Sequence, residues 1–278
     1  MNNLTLRAIS GAIFVALVVV CLLGGTWPAW SMLLLFTFLS LREYQNLLLP
    51  NLTLVQKLVF ILSGCYLFAV LSFKQFMYYN EIAPAFYYIV LLLPILVFVS
   101  ELFRKNAAPF DQIGRQFAGW IYIPVSLGLL FGIGYQPFLY VNGAIAYNGF
   151  LVLTVFILIW SNDTFAYLTG RLLGKNPLFS RISPKKTIEG TAGGLILTVG
   201  AGIAIYYLHP QLTLIQYILL AITISISATL GDLVESMLKR SLEIKDSGNL
   251  MPGHGGILDR LDATLLTAWS VYFLLLIF

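Results

Sequence analysis

Residues 149–170 read GFLVLTVFILIWSNDTFAYLTG. From Phe150 to Trp160 apolar side chains follow one another without strand-like alternation, and the stretch has about the 20 residues that a membrane-crossing helix needs. Closed barrels, the other spanning architecture, require alternating strands of about ten residues, so this stretch selects helices. The run ends in Ser161, Asn162 and Asp163, and an ionised carboxylate there costs on the order of 3 kcal/mol unless it finds a partner or water. Asp163 therefore reads as functional, against the plainer reading of a helix-to-helix hydrogen bond through Asn162 and Asp163.

Eight further stretches qualify or nearly do: 7–24, 28–48, 54–73, 84–103, 116–135, 191–208, 213–234 and 263–278. Composition agrees. Charged residues make up 10% of the 278, apolar ones 59%, and the mean hydropathy is +0.88, too little polar surface to cover a water-soluble globule. The expected fold is all-α, a polytopic membrane helix bundle of about nine transmembrane helices. The first run reads as a retained signal anchor rather than a cleaved peptide, because the next begins almost at once at Pro28.

Charge sets the orientation. Assigned to alternate sides of nine crossings, fifteen of the sixteen Lys and Arg residues fall on one side and only Lys74 on the other. The positive-inside bias then makes the N-terminus cytoplasmic and the C-terminus external. A net charge of +4 is too small to argue for nucleic acid, and basic residues just outside the crossings suit anionic head groups of membrane lipid. Cys21 and Cys65 both lie inside expected spans and read as small apolar side chains, so no disulfide is expected. Trp27, Trp30, Trp120 and Tyr122 read as interfacial anchors.

The chain divides into N-terminal transmembrane helices, 1–148, and a C-terminal catalytic transmembrane domain, 149–278. In the first part only Arg42 and Glu43 stand out, and they read as a pair at the membrane interface, with an edge contact to a head group as the alternative. The second holds eight of the twelve carboxylates: Asp163, Glu189, Asp232, Glu235, Glu243, Asp246, Asp259 and Asp262.

Residues 170–194, GRLLGKNPLFSRISPKKTIEGTAGG, form a loop with five cations. Ser183 as N-cap and Pro184 as first residue predict a helix start, with free amides beside Lys185 and Lys186. Such a start with two lysines suits phosphate; the alternative is a solvated loop that serves topology. Residues 231–262 read GDLVESMLKRSLEIKDSGNLMPGHGGILDRLD. On a helix, Asp232, Glu235, Ser236 and Lys239 share one face. Asp259 and Asp262 lie one turn apart, able to reach one cation, with Arg260 projecting elsewhere. Between the helix that carries Asp232 and the one that carries Asp259, the stretch Pro252, Gly253, His254, Gly255 and Gly256 has little bulk, so backbone amides could approach a ligand.

Hard carboxylate oxygens, with no cysteine among these motifs and only His209 and His254 as histidines in the chain, favour Mg2+ over zinc. Carboxylates, cations and glycines together suit nucleotidyl transfer, which is largely positioning and electrostatics. No protein nucleophile is evident, so direct in-line attack is expected. A phosphate monoester acceptor, with a second pKa of about 6, would arrive ionised and need no general base.

These residues resemble the phosphatidate cytidylyltransferase, or CDP-diacylglycerol synthase, family. The likeness is carried by Ser236, Lys239, Arg240, Lys245, Asp246, Pro252, Gly253, His254, Gly255, Gly256, Asp259, Arg260 and Asp262, without departure from the signature. Ser183, Pro184, Lys185, Lys186, Thr187, Glu189 and Gly190 also resemble a family segment, as do Asn162 with Asp163 and Gly231 with Asp232. The specific likeness covers roughly 160–262. It implies transfer of CMP from CTP to phosphatidate, giving CDP-diacylglycerol and pyrophosphate, with Mg2+ required and a second cation plausible.

Under this reading Asp232, Asp259 and Asp262 hold the metal, with Asp246 next and Asp163 as a ligand or its support. Lys185, Lys186, Lys239, Arg240, Lys245 and Arg260 hold phosphates. Ser183, Thr187, Ser236, Asn162, Gly253, His254, Gly255 and Gly256 complete substrate binding, His254 either by contacting a phosphate or by shaping the glycine loop. The expected location is a bacterial-type inner or plasma membrane, with the site facing the cytoplasm. A homodimer through the N-terminal spans is an open expectation. The rivals are a CTP-dependent polyprenol or phytol kinase, a CTP transferase on archaeal ether lipid, and, more remotely, a secondary transporter, which would need midplane sites and repeated halves.

Overall fold

The computed structural model describes residues 3–76, 88–105, 107–136, 140–141, 144–251 and 255–278. It is an all-α membrane protein whose helices follow the apolar stretches closely. In the first half these are α1 (Asn3–Leu23), α2 (Thr26–Leu48), α3 (Leu54–Phe76), a 3-10 turn (Ile89–Leu91) leading into α4 (Leu92–Leu102), α5 (Pro109–Trp120) and α6 (Ser126–Ile133). The second half contains α7 (Gly149–Leu173), α8 (Ile188–Leu208), α9 (Leu214–Ser241) and α10 (Leu258–Leu275). Segments 54–72, 109–133, 149–173, 188–208 and 214–241 are helical, long and apolar enough to cross a membrane, with shorter apolar helices over 8–23 and 89–102.

Local signals place several of these ends. Thr213 and Gln216 form a reciprocal capping box at the start of α9, satisfying amides that a helix otherwise leaves open. Asn148 caps α7 by accepting from the Leu151 amide. Pro124 lacks the amide needed to continue an α-helical ladder, and a π-helical turn, Ile121–Val125, joins α5 to α6 there.

α6 is the buried centre of the bundle, with Leu127, Leu130 and Ile133 closed to solvent, and it packs against α10 and α3. Around it the strongest pairings are α7 with α8 and α9 with α10. Ile13, Leu62, Ile196 and Ile215 are among many large apolar side chains left exposed on the outer helices, as expected where lipid is the solvent rather than water.

Two short antiparallel hairpins interrupt the helices: β1 (Tyr140–Val141) with β2 (Ala144–Ile145), and β3 (Pro177–Phe179) with β4 (Ser183–Thr187). The second corrects the helix start expected at Ser183 and Pro184. The chain there is extended, and α8 begins five residues later with Thr187 as N-cap, its hydroxyl accepting from the Gly190 amide. Pairing with β3 takes the chain through 183–187 as strand, and Glu189 pins the hairpin's base by accepting from the amides of Lys175 and Asn176. Lys185 and Lys186 therefore stand on a strand just before α8 and not within its first turn.

Candidate active site

The site forms where α9 and α10 touch. Gly231 makes this possible: a Cβ on it would lie 2.8 Å from the Asp262 carbonyl oxygen and 3.1 Å from the Ala263 Cα. Without that atom the two backbones approach closely, and the neighbouring Asp232 is drawn toward Asp262. Asp163 enters from α7, and the three carboxylates lie within electrostatic reach of one another. Asp163 is open to the surrounding cavities rather than packed away.

Two cavities meet at Asp163 and Asp232, which line both. One, of about 490 Å³, lies between α7, β4, α8 and α9, with Arg171, Lys185, Lys186 and Thr187 on its wall beside Asn162, Ala166 and Gly170. The other, of about 430 Å³, has Lys239, Asp246, Asp259, Arg260 and Asp262 on its wall, and α1 closes it with Gly11, Phe14 and Val15. Arg260 thus shares a cavity with both aspartates of its helix instead of serving a separate place.

The expected helical face on α9 is present. Ser236 donates to Asp232 Oδ1 at 3.2 Å, and Lys186 pairs with Asp232 Oδ2. Lys239 is shared, pairing with Glu235 one turn back and with Asp259 Oδ1 at 2.9 Å. Glu235 is fully buried, so a charge there depends on that ammonium. The Tyr122 hydroxyl, buried in the π-helical turn, lies within electrostatic reach of Glu235, Asp262 and Asp232.

Asp259 is heavily engaged. Its Oδ2 accepts from the Ser247 amide at 2.8 Å, the Ser247 hydroxyl at 2.9 Å and the Gly256 amide at 2.8 Å. Burial by itself would raise this carboxyl, but Lys239 and the two amides hold it below its ordinary value. The Gly256 amide, expected to face a ligand, is therefore spent on folding the loop. Asp262 Oδ1 accepts from its neighbour's amide, Ala263, at 2.6 Å. Asn162 is buried and accepts from Ser225 at 2.6 Å.

Not every expected residue gathers here. Ser183, Arg240 and Lys245 line neither cavity, and Arg240 and Lys245 are exposed. His209 is remote from the cluster, stacked on Phe150. Pro252, Gly253 and His254 lie outside the described residues, while Gly255 has φ +82° and closes a bridge with Met251.

Glu43 overturns the expectation of an interface pair with Arg42. Its carboxylate accepts from the amides of Ile257 and Leu258, each at 2.9 Å, and from the Ser247 hydroxyl at 3.4 Å. α10 has Ile257 at its N-cap position and no side-chain cap of its own, so its first amides need an acceptor from elsewhere. An uncapped helix start was the only hint that the sequence offered.

Comparison with known proteins places the chain in a family. Residues 5–278 match the model of the Cytidylyltransferase family. The chain belongs to the cytidylyltransferase family. Among its relatives, the phosphatidate cytidylyltransferase of Bacillus subtilis (strain 168) is 35% identical over 275 residues, covering 97% of this chain and 95% of the relative. The protein of the same name from Synechocystis sp. is 32% identical over 97% of this chain and 95% of its own length. That of Staphylococcus haemolyticus is 48% identical over 113 residues, covering 40% of this chain and 44% of the relative. The cytidylyltransferase match runs through the N-terminal helices as well as the charged half.

Among the described residues no group of three or more His, Cys, Asp or Glu side chains is arranged as a ready metal cage. This donor set still fits Mg2+ in a cytidylyltransferase. Magnesium is usually held by one or two carboxylates with substrate phosphates and water completing its shell. Asp163, Asp232 and Asp262 offer hard oxygens around one shared cavity, and a cation would relieve their mutual repulsion.

Proposed function

We propose that this protein transfers CMP from CTP to phosphatidate, forming CDP-diacylglycerol and pyrophosphate for phospholipid synthesis. One observation carries the reading beyond family membership: Asp163 and Asp232 form a common wall between two cavities, each with its own cations. A two-substrate transfer of a nucleotidyl group between phosphates needs such a meeting point, with positive charge on both sides.

The chemistry follows from charge. The phosphatidate phosphate is a monoester, dianionic for the most part at pH 7, and attacks without a general base. One of its oxygens bonds to the α-phosphorus of CTP as the bond from that phosphorus to the bridging oxygen breaks, and pyrophosphate leaves. Lys186, Lys185 and Arg171 in one cavity, and Lys239 and Arg260 in the other, are placed to neutralise phosphate oxygens, where fixed charges act without reorganising. Lys245 and Arg240 would reach in from the rim.

Asp232, Asp262 and Asp163 would hold Mg2+, with Asp246 nearby and Asp259 supporting through its loop; a second cation belongs to the same reading. Bound by these carboxylates, Mg2+ would supply positive charge to offset that of the phosphate oxygens. The bundle is read with about nine crossings, a cytoplasmic N-terminus and the site on the cytoplasmic face, where soluble CTP meets lipid. The fifteen-to-one charge asymmetry supports this. A homodimer would use the exposed apolar faces of the N-terminal helices.

Purified protein given labelled CTP and phosphatidate, with and without Mg2+, tests the assignment. The expected result is CDP-diacylglycerol with pyrophosphate, dependent on the metal. Release of CDP would instead mark a lipid kinase and overturn it.

A further inference from the structure

Glu43 does more than complete a helix. The loop between α9 and α10 lies between two carboxylates from distant parts of the chain, Glu43 on α2 and Asp259 on α10. Ser247 touches both, at 3.4 Å and 2.9 Å. Two glycines bring the loop against Glu43: a Cβ at Gly256 would lie 2.4 Å from its Oε2, and one at Gly248 would lie 2.7 Å from its Oε1. Behind Asp259 the chain of contacts continues to Lys239 and Glu235.

The amides of Ser247, Gly256, Ile257 and Leu258 are thus all bonded to protein carboxylates. The start of α10, a natural place for a phosphate, is filled by Glu43. Side chains carried on this loop and on the first turn of α10, Asp246 and Arg260 among them, must therefore do the recognising, and their position depends on how the loop is held.

We infer that Glu43 is a positioning residue for CTP: from the N-terminal half it clamps the chain at Ser247, Gly248 and Gly256 to Leu258 so that Asp246 and Arg260 meet the nucleotide, without itself touching substrate. This rests on the cytidylyltransferase reading. It divides the substrates unequally, because Lys185 and Lys186 stand on β4, which Glu43 does not hold.

Full-length protein in detergent, wild type beside Glu43→Gln, Glu43→Asp and Ser247→Ala, tests the inference. The amide of Gln can accept only through one oxygen. The expected Glu43→Gln result is a roughly tenfold rise in KM for CTP, with KM for phosphatidate within about twofold, the scale of a lost charge-assisted hydrogen bond. Glu43→Asp keeps the charge but is too short to reach both amides, and should behave like Gln rather than wild type. Ser247→Ala should shift KM for CTP in the same direction. Amide hydrogen exchange over 245–258 should quicken in Glu43→Gln.

Unchanged CTP kinetics in both Glu43→Gln and Ser247→Ala would overturn the inference, as would an equal rise in both KM values or wild-type behaviour of Glu43→Asp. If the wild type makes no CDP-diacylglycerol, the enzymatic reading fails instead. Faster exchange in Glu43→Gln would then still establish the clamp, and unchanged exchange would remove it.

Discussion

Residues 149–278 carry Asp163, Asp232, Asp246, Asp259 and Asp262, the carboxylates of the two cavities. The described residues of the first half send one carboxylate to this region, Glu43, along with the buried Tyr122 hydroxyl and the apolar wall of α1. One half concentrates charge; the other holds it in place. A charged cluster repels itself and cannot set its own geometry, so neutral walls, caps and close backbone contacts must do so. The N-terminal helices are accordingly part of the enzyme and not only a membrane anchor.

The sharpest way to break this division is within the charged half. Asp262→Asn keeps size and most hydrogen bonding but removes one of the three facing charges. Turnover should fall by on the order of 10²–10³, the usual loss when one preorganised electrostatic group is removed, with the protein still folded in detergent. Near-normal turnover would take Asp262 out of the site.

Gly231→Ala tests close approach rather than charge. The added methyl must push α9 from the backbone of α10, destabilising by about 1–3 kcal/mol. Because a displacement of about 1 Å can slow a reaction by about 10², turnover should drop well beyond the loss of folded protein. Thermal unfolding measured beside initial rates separates the two effects.

The smallest effect on turnover should come from the first half, far from the cavities. Arg104 donates to Glu101 and to the Asn51 carbonyl, both at 2.7 Å, and the Glu101 side chain is 2% exposed. Arg104→Met strands a buried carboxylate, which should lower stability by about 3 kcal/mol and leave turnover of the folded protein within about twofold, an N-terminal change that acts on stability only. A large fall in turnover would show that the whole first half, and not only Glu43 and its neighbours, bears on the chemistry.

Much of the charged half was legible in order. The α-helical spacing of Asp232, Ser236 and Lys239 survives intact because α9 continues to Ser241, past the apolar run that ends near 234. Local spacing failed at Ser183 and Pro184, where cap-like residues sit in a strand. A two-strand pairing and the bonds made by Glu189 decided that segment, and neither partner can be recognised from the residues themselves. Glu43 was hidden for a related reason: it looked like one half of a local ion pair, whereas its partners are amides more than two hundred positions away.

Composition and periodicity alone were enough for a helical membrane protein, because lipid tolerates few backbone solutions and each writes a different pattern. The motif spacings were enough to gather the charges on particular helix faces, since 3.6 residues per turn is a local rule. Which carboxylates face one another, which amides are already taken, and which distant side chain holds the loop were decided only by tertiary packing. Those choices depend on the approach of backbones at Gly231 and Gly256, contacts between elements that no local periodicity encodes.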